Sequence, residues 1–108
     1  TLQTLNLSNN YVSDLSSLLG LISENNVTSE KSTDLIELNL SNNSLDGYSV
    51  ADNITALLKL HKAGLQKVTI TGNNFSANEV NELINGKTVT ENGVTTTYAG
   101  FGSGNVIN

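Results

Sequence analysis

Groups able to act as nucleophile, general base or metal ligand are few in this chain, and they are scattered. Its 108 residues hold one histidine, His61, and no cysteine. That removes thiolate zinc sites, disulfide staples and Cys–His nucleophilic pairs together. His61 lies in an apolar-periodic stretch that reads as helix, and a place facing solvent or at the helix end accounts for it. Asp14, Asp34, Asp46 and Asp52 each stand near a turn or a helix start, where a carboxylate caps free backbone N–H groups. No D-x-D-x-D run supports a calcium loop. Nor is there a G-x-S-x-G elbow, a phosphate-binding glycine loop or an H-E-x-x-H helix. Catalysis needs reactive groups that converge, so the sequence reads as non-catalytic, with no metal and no cofactor.

Charge narrows the partners. The formal net charge is −5, from ten acidic residues against five lysines and no arginine. Phosphate binding needs clustered cations, so neither nucleic acid nor an anionic membrane surface is expected. No apolar run approaches the roughly 18–20 residues of a membrane span, and no signal-peptide pattern is visible. Six N-x-S/T sequons begin at Asn6, Asn26, Asn39, Asn42, Asn53 and Asn74. So much Asn, Ser and Thr yields such triplets by chance, and glycosylation is not expected. Thr1 comes first and methionine is absent, which is expected of a processed or excised piece of a longer chain.

The organising feature is a repeat. Leu35, Leu38, Leu40, Asn43 and Leu45 are preceded at a constant 33 residues by Leu2, Leu5, Leu7, Asn10 and Val12. They are followed at a constant 30 by Leu65, Val68, Ile70, Asn73 and Phe75. A strand with alternate side chains inward explains Leu38 and Leu40. Asn43 falls where the chain bends, and its carboxamide can both donate and accept there. A period near 30 marks a stacked array.

The pattern L-x-x-L-x-L-x-x-N-x-L resembles the leucine-rich repeat family, over roughly residues 1–85. The long unit with a helical second half is similar to the ribonuclease-inhibitor subtype. That resemblance implies an α/β solenoid, with a parallel sheet on the concave side and helices on the convex side. Units of 1–34, 35–64 and 65–86 follow, then a C-terminal hairpin cap over 87–98 and a Gly-rich tail over 99–108.

Between the strands the periodicity is helical. Leu15, Leu18, Leu19 and Ile22 define one face of a helix over residues 13–24, capped by Ser13 or Asp14. Residues 25–34 read as loop. The second helix spans about residues 49–63. Ser49 and Asp52 form its capping box, Val50, Ile54, Leu57 and Leu58 its buried stripe, and Gly64 its stop. Lys59 and Lys62 suit the negative end of its dipole. The third spans residues 77–85, with a Ser76/Glu79 capping box, a Phe75/Val80 staple and Gly86 as terminator. Asn92-Gly93 between Thr-rich runs is a hairpin signal; its first strand is expected to pair beside the third repeat strand. The tail is expected to be mobile.

The resemblance also implies roles. Asn10, Asn43 and Asn73 would form a ladder bonding the backbone of adjacent turns. Outward strand residues would form a protein-binding concave face: Thr4, Asn6 and Ser8; Glu37, Asn39 and Ser41; Lys67, Thr69 and Thr71. The row Thr4–Glu37–Lys67 sets opposite charges side by side. The expected partner is a protein. A structural subunit is the alternative, self-associating through the uncovered edge of the first strand. By resemblance, a bacterial secreted effector or surface protein is favoured over a cytoplasmic one.

Overall fold

Leucines at alternate positions, each repeat ending in a turn-forming Asn, give three short strands that can stack only if the chain returns to the same side each time. It does so here. The computed structural model describes residues 2–24 and 31–108. In it β1 (Thr4–Asn6), β4 (Glu37–Asn39) and β5 (Lys67–Thr69) lie side by side and parallel. Their register pairs Leu5 with Leu38 and Leu38 with Val68. Parallel neighbours require a crossover, and each crossover carries a helical segment where periodicity predicts a helix, 3-10 in the first and α in the other two.

The first crossover is shorter than its apolar face implies. Instead of a helix over 13–24, a 3-10 helix spans Ser16–Leu21. Leu15, at its N-cap position, offers no side-chain bond, Gly20 weakens the interior by about 1 kcal/mol, and Asp14 is occupied in a local turn with Ser16. The chain then extends as β2 (Ser23–Glu24), antiparallel to β3 (Lys31–Ser32), so part of the expected loop is strand. Residues 25–30, with the Asn26 sequon, lie outside the described residues.

The second crossover holds α1 (Asn53–Ala63). Asp52, not Ser49, caps it, accepting from the Thr55 backbone N–H at 3.0 Å and from its hydroxyl at 2.7 Å. Ser49 instead donates its N–H to Asp46. With the start displaced by four residues, Val50 is exposed rather than part of the stripe, which runs through Ile54, Leu57, Leu58 and Leu60, all fully buried. The third crossover begins with α2 (Ala77–Asn85), whose Ser76/Glu79 capping box is complete in both directions. Gly86, at φ +85, lets the helix pass directly into a strand; a Cβ there would meet the Tyr98 carbonyl.

The C-terminal quarter departs from expectation. Among the described residues β6 (Gly86–Glu91) and β7 (Val94–Ala99) pair only with each other, around a two-residue loop. They lie against α1 and α2, with Tyr98 buried, and not beside β5. That place is taken by β8 (Val106–Ile107) from the tail, which pairs parallel with β5. The tail is anchored. Phe101 is buried and stacks on His61 with ring centroids 4.3 Å apart, and its N–H bonds the Leu83 carbonyl.

Candidate functional site

The strand-exit turns are the most repetitive geometry in the molecule. Asn43 donates its Nδ2 to the carbonyls of Leu40 and Ser41 in its own coil and of Leu7 in the preceding one. Its Oδ1 accepts from the backbone N–H groups of Asn10 and Val12, both at 3.1 Å. Asn73 repeats this one coil later, reaching the Leu40 carbonyl and the Leu45 N–H. Asn10 bonds the Leu7 and Ser8 carbonyls of its own coil. The residue before each ladder carboxamide has a left-handed backbone: Asn9 at φ 59, Asn42 at 57 and Gly72 at 76. Asn and Gly tolerate this region best.

A second buried carboxamide does comparable work on the helical side. Asn53, fully buried, donates to the carbonyls of Ser13 and Asp46 and accepts from the Leu15 N–H, all at 2.9 Å. It ties the start of α1 to the first coil. The sequon it heads is sequestered.

These turns fix the strand faces. One face, with Leu38, Val68 and Val106, packs into the core. The other brings the predicted residues into register: Thr4 beside Glu37 beside Lys67, and Asn6 beside Asn39 beside Thr69. Thr4, Asn6, Glu37 and Thr71 are exposed; Ser8, Asn39, Ser41, Lys67 and Thr69 are half-buried. Two of its rungs are internally clasped, since Asn6 accepts from the Ser8 N–H and hydroxyl, and Asn39 from those of Ser41. Such bonds preorganise small polar groups. Glu37 and Lys67 stand side by side without closing an ion pair; among the described residues the ion pairs are Lys59–Glu91 and Lys87–Glu82. Lys59 thus serves the hairpin, and the basic residues in the last turn of α1 are His61 and Lys62.

Two exposed apolar residues near this face escaped the sequence reading. Ile107, 40 % exposed, adjoins Thr69 and extends that row with an aliphatic group. Tyr11, 94 % exposed, projects from the first strand-exit turn. Its signal was available: the equivalent positions are Ser44 and Asn74, so an aromatic there is out of pattern.

Several titratable groups make structural bonds. His61 Nδ1 lies 2.7 Å from the Leu65 carbonyl, closing the turn after α1. Hydrogen bonds from the Ser16 hydroxyl and N–H hold the Asp14 carboxyl below the usual range. Tyr48 donates to Glu82 at 2.8 Å and accepts from Lys87 at 2.6 Å, with Lys87 and Glu82 themselves paired at 3.0 Å. Burial pushes the Tyr48 phenol up, against the pull of Lys87. Burial alone would lower Lys87, but its bonds to Tyr48 and Glu82 outweigh that and hold its ammonium above the usual range. No group of three potential metal ligands occurs among the described residues, and no described helix is long and apolar enough to cross a membrane.

Stacked parallel strands joined by helical crossovers, with carboxamides bonding coil to coil, define an α/β repeat fold. The family model for Leucine Rich Repeat matches residues 1–23 and 34–57, the first two coils. No curated protein and no solved structure matches the chain.

Proposed function

We propose that this chain is a non-catalytic protein-interaction module of leucine-rich-repeat type, a curved solenoid close to the ribonuclease-inhibitor subtype, and that it binds a protein through its concave sheet face. Leucine-rich repeats are generally protein-interaction modules, and repeat arrays use extended concave surfaces for binding. One observation carries the reading for this chain. Residues 30 or 33 apart fall into register on the face turned away from the core, as Thr4–Glu37–Lys67 and Asn6–Asn39–Thr69. Their side chains contribute nothing to the core, so they are free to be used for recognition. The polar, partly clasped groups suit an interface rich in hydrogen bonds, and Ile107 and Tyr11 supply apolar contact at its margins.

A Glu37→Lys, Asn39→Arg double variant tests this. It should stay folded and melt no more than about 10 °C below the parent, because a change at exposed Glu37 costs about 0.5 kcal/mol or less and loss of the half-buried Asn39–Ser41 clasp about 1 kcal/mol. In a pull-down it should lose the protein that the parent retains. Retention of that protein by the double variant moves the site off this face.

A second reading has its own support. Among the described residues no strand pairs with the outer edge of β1, and Leu2 beside it is 50 % exposed. A neighbouring chain seated there would make this a structural subunit, and the Leu2→Lys variant in the association experiment below separates the two readings.

A further inference from the structure

The hairpin offers a different edge, one with no defence against pairing. β7 hydrogen-bonds only β6, and among the described residues its backbone forms no bond outside the hairpin. Strand edges are ordinarily blunted by charge, proline, bulges or shortness. β7 reads V-T-T-T-Y-A over six residues, without charge, proline or glycine. Its registry with β6 is unbroken from Gly86–Ala99 to Glu91–Val94.

The turn settles which backbone groups look outward. Asn92 and Gly93 have φ of 51 and 79, as a type I′ two-residue loop requires. Glu91 and Val94 then exchange the first pair of bonds, and bonded and non-bonded pairs alternate beyond it. The N–H and C=O groups of Thr95, Thr97 and Ala99 therefore face the open side. On the solvent face the threonines already meet across the hairpin, with hydroxyls of Thr88 and Thr97 at 3.0 Å and of Thr90 and Thr95 at 2.9 Å.

We infer that β7 is a self-association edge, pairing antiparallel with the β7 of a second copy about a two-fold axis at Thr96. The occupant follows from self-complementarity. With Thr96 opposite its own counterpart, Thr95 of each copy faces Thr97 of the other, and both pairs exchange N–H···O=C bonds through outward groups. The same register continues each threonine rung across the axis, and a hydroxyl can serve as donor or acceptor at every step. Val94, 64 % exposed, comes to lie opposite Tyr98 of the other copy. No charge meets a like charge along the β7 seam. An identical strand in this register pairs the outward groups of Thr95 and Thr97 with those of its own counterpart.

Sedimentation velocity from about 10 µM to about 1 mM, a range that brackets weak dimers, should show the mass rising from 11.4 kDa towards twice that value. Thr97→Pro removes an outward donor that β6 does not use and should hold the protein monomeric, with its melting curve kept. Thr88→Pro makes the same change on the outer edge of β6 and should leave the dimer. The chain has no cysteine, so Thr96→Cys should give a disulfide-linked dimer on mild oxidation, and Thr90→Cys should not. A monomer throughout, or equal association of the Thr97→Pro and parent proteins, overturns the inference. So does association lost with Leu2→Lys but kept with Thr97→Pro, which would assign the contact to the first strand.

Discussion

The first and second coils carry the same five-residue signature and yet behave differently. Leu35 is 1 % exposed where Leu2 is 50 % exposed, and Leu38 and Leu40 are buried where Leu5 and Leu7 are only half-buried. The ladder differs likewise: Asn43 bonds both its own coil and the preceding one, while Asn10 bonds its own. So does the crossover, eleven residues of α-helix in one and six of 3-10 helix in the other. The leucine pattern thus specifies where a side chain points, and the neighbouring coil decides how deeply it is buried. Stability in such an array resides in interfaces between units.

Leucine truncation should expose that difference most strongly. Leu38→Ala removes a fully enclosed side chain with a coil on either side, and about 2–5 kcal/mol of stability should go with it. Leu5→Ala, at the same register on a half-buried strand, should cost about half as much or less. Urea titration of both variants measures the gap. Equal losses would mean that the first coil is buried as fully as the second in solution.

The carboxamides sharpen the comparison at the next level. Asn43→Leu strands the N–H groups of Asn10 and Val12 and the carbonyls it served, and a loss of about 3 kcal/mol is expected from unsatisfied buried groups costing about 1–3 kcal/mol each. Asn10→Leu should cost no more than about 1 kcal/mol, because its two carbonyl partners are exposed to water. The control at the adjacent position is Asn42→Gly rather than Asn42→Leu, since a leucine would bear about 1–2 kcal/mol of left-handed strain unrelated to the ladder. Asn42→Gly should be nearly neutral, as Gly72 already fills that position in the third coil. Thermal melts in which Asn10→Leu and Asn43→Leu fall together would dissolve the distinction between the coils.

What could be read in advance follows the same division. Strand positions and the ladder asparagines recur at spacings of 30 and 33, and the α2 capping box and the hairpin turn depend on residues within a few positions of one another, so these patterns were visible. Asn53 was not, because its partners lie at Ser13, Leu15 and Asp46, and nothing local distinguishes it from a chance sequon. The fourth strand was missed because Val106 follows Val68 by 38 residues, the hairpin having been inserted into the repeat, and because Ile107 stands where earlier coils have polar groups. The 3-10 segment kept the apolar face that was read for it; its length was set by weak capping and Gly20, which compete with periodicity rather than appear in it. Of the candidate face, the register was legible and the flanking Ile107 was not.

Away from the stacked coils, the C-terminal region is held partly by a polar lock, and its pH dependence offers the smallest but most specific contrast. Tyr48 comes from the loop before α1, Glu82 from α2 and Lys87 from β6, so their mutual bonds tie the second coil to the hairpin. Both Tyr48 and Lys87 hold their protons more tightly when folded than at their ordinary values of 10.0 and 10.5. A group whose pKa is raised on folding adds stability below its unfolded value and loses it as pH climbs through the folded one. The lock should therefore be intact at pH 7 and weaken progressively above about pH 10. Since these side chains are partly exposed, solvent screening keeps the effect to no more than about 1 kcal/mol. Tyr48→Phe removes the phenol that both partners use and should flatten the alkaline limb of the stability profile while leaving the limb below pH 8 parallel to that of the parent. The Leu38→Ala protein, weakened in the stacked core instead, should keep the alkaline decline of the parent. If Tyr48→Phe and parent lose stability identically between pH 9 and 11, the lock does not join the two regions in solution, and packing of Tyr98 and Phe101 alone secures the hairpin and the tail.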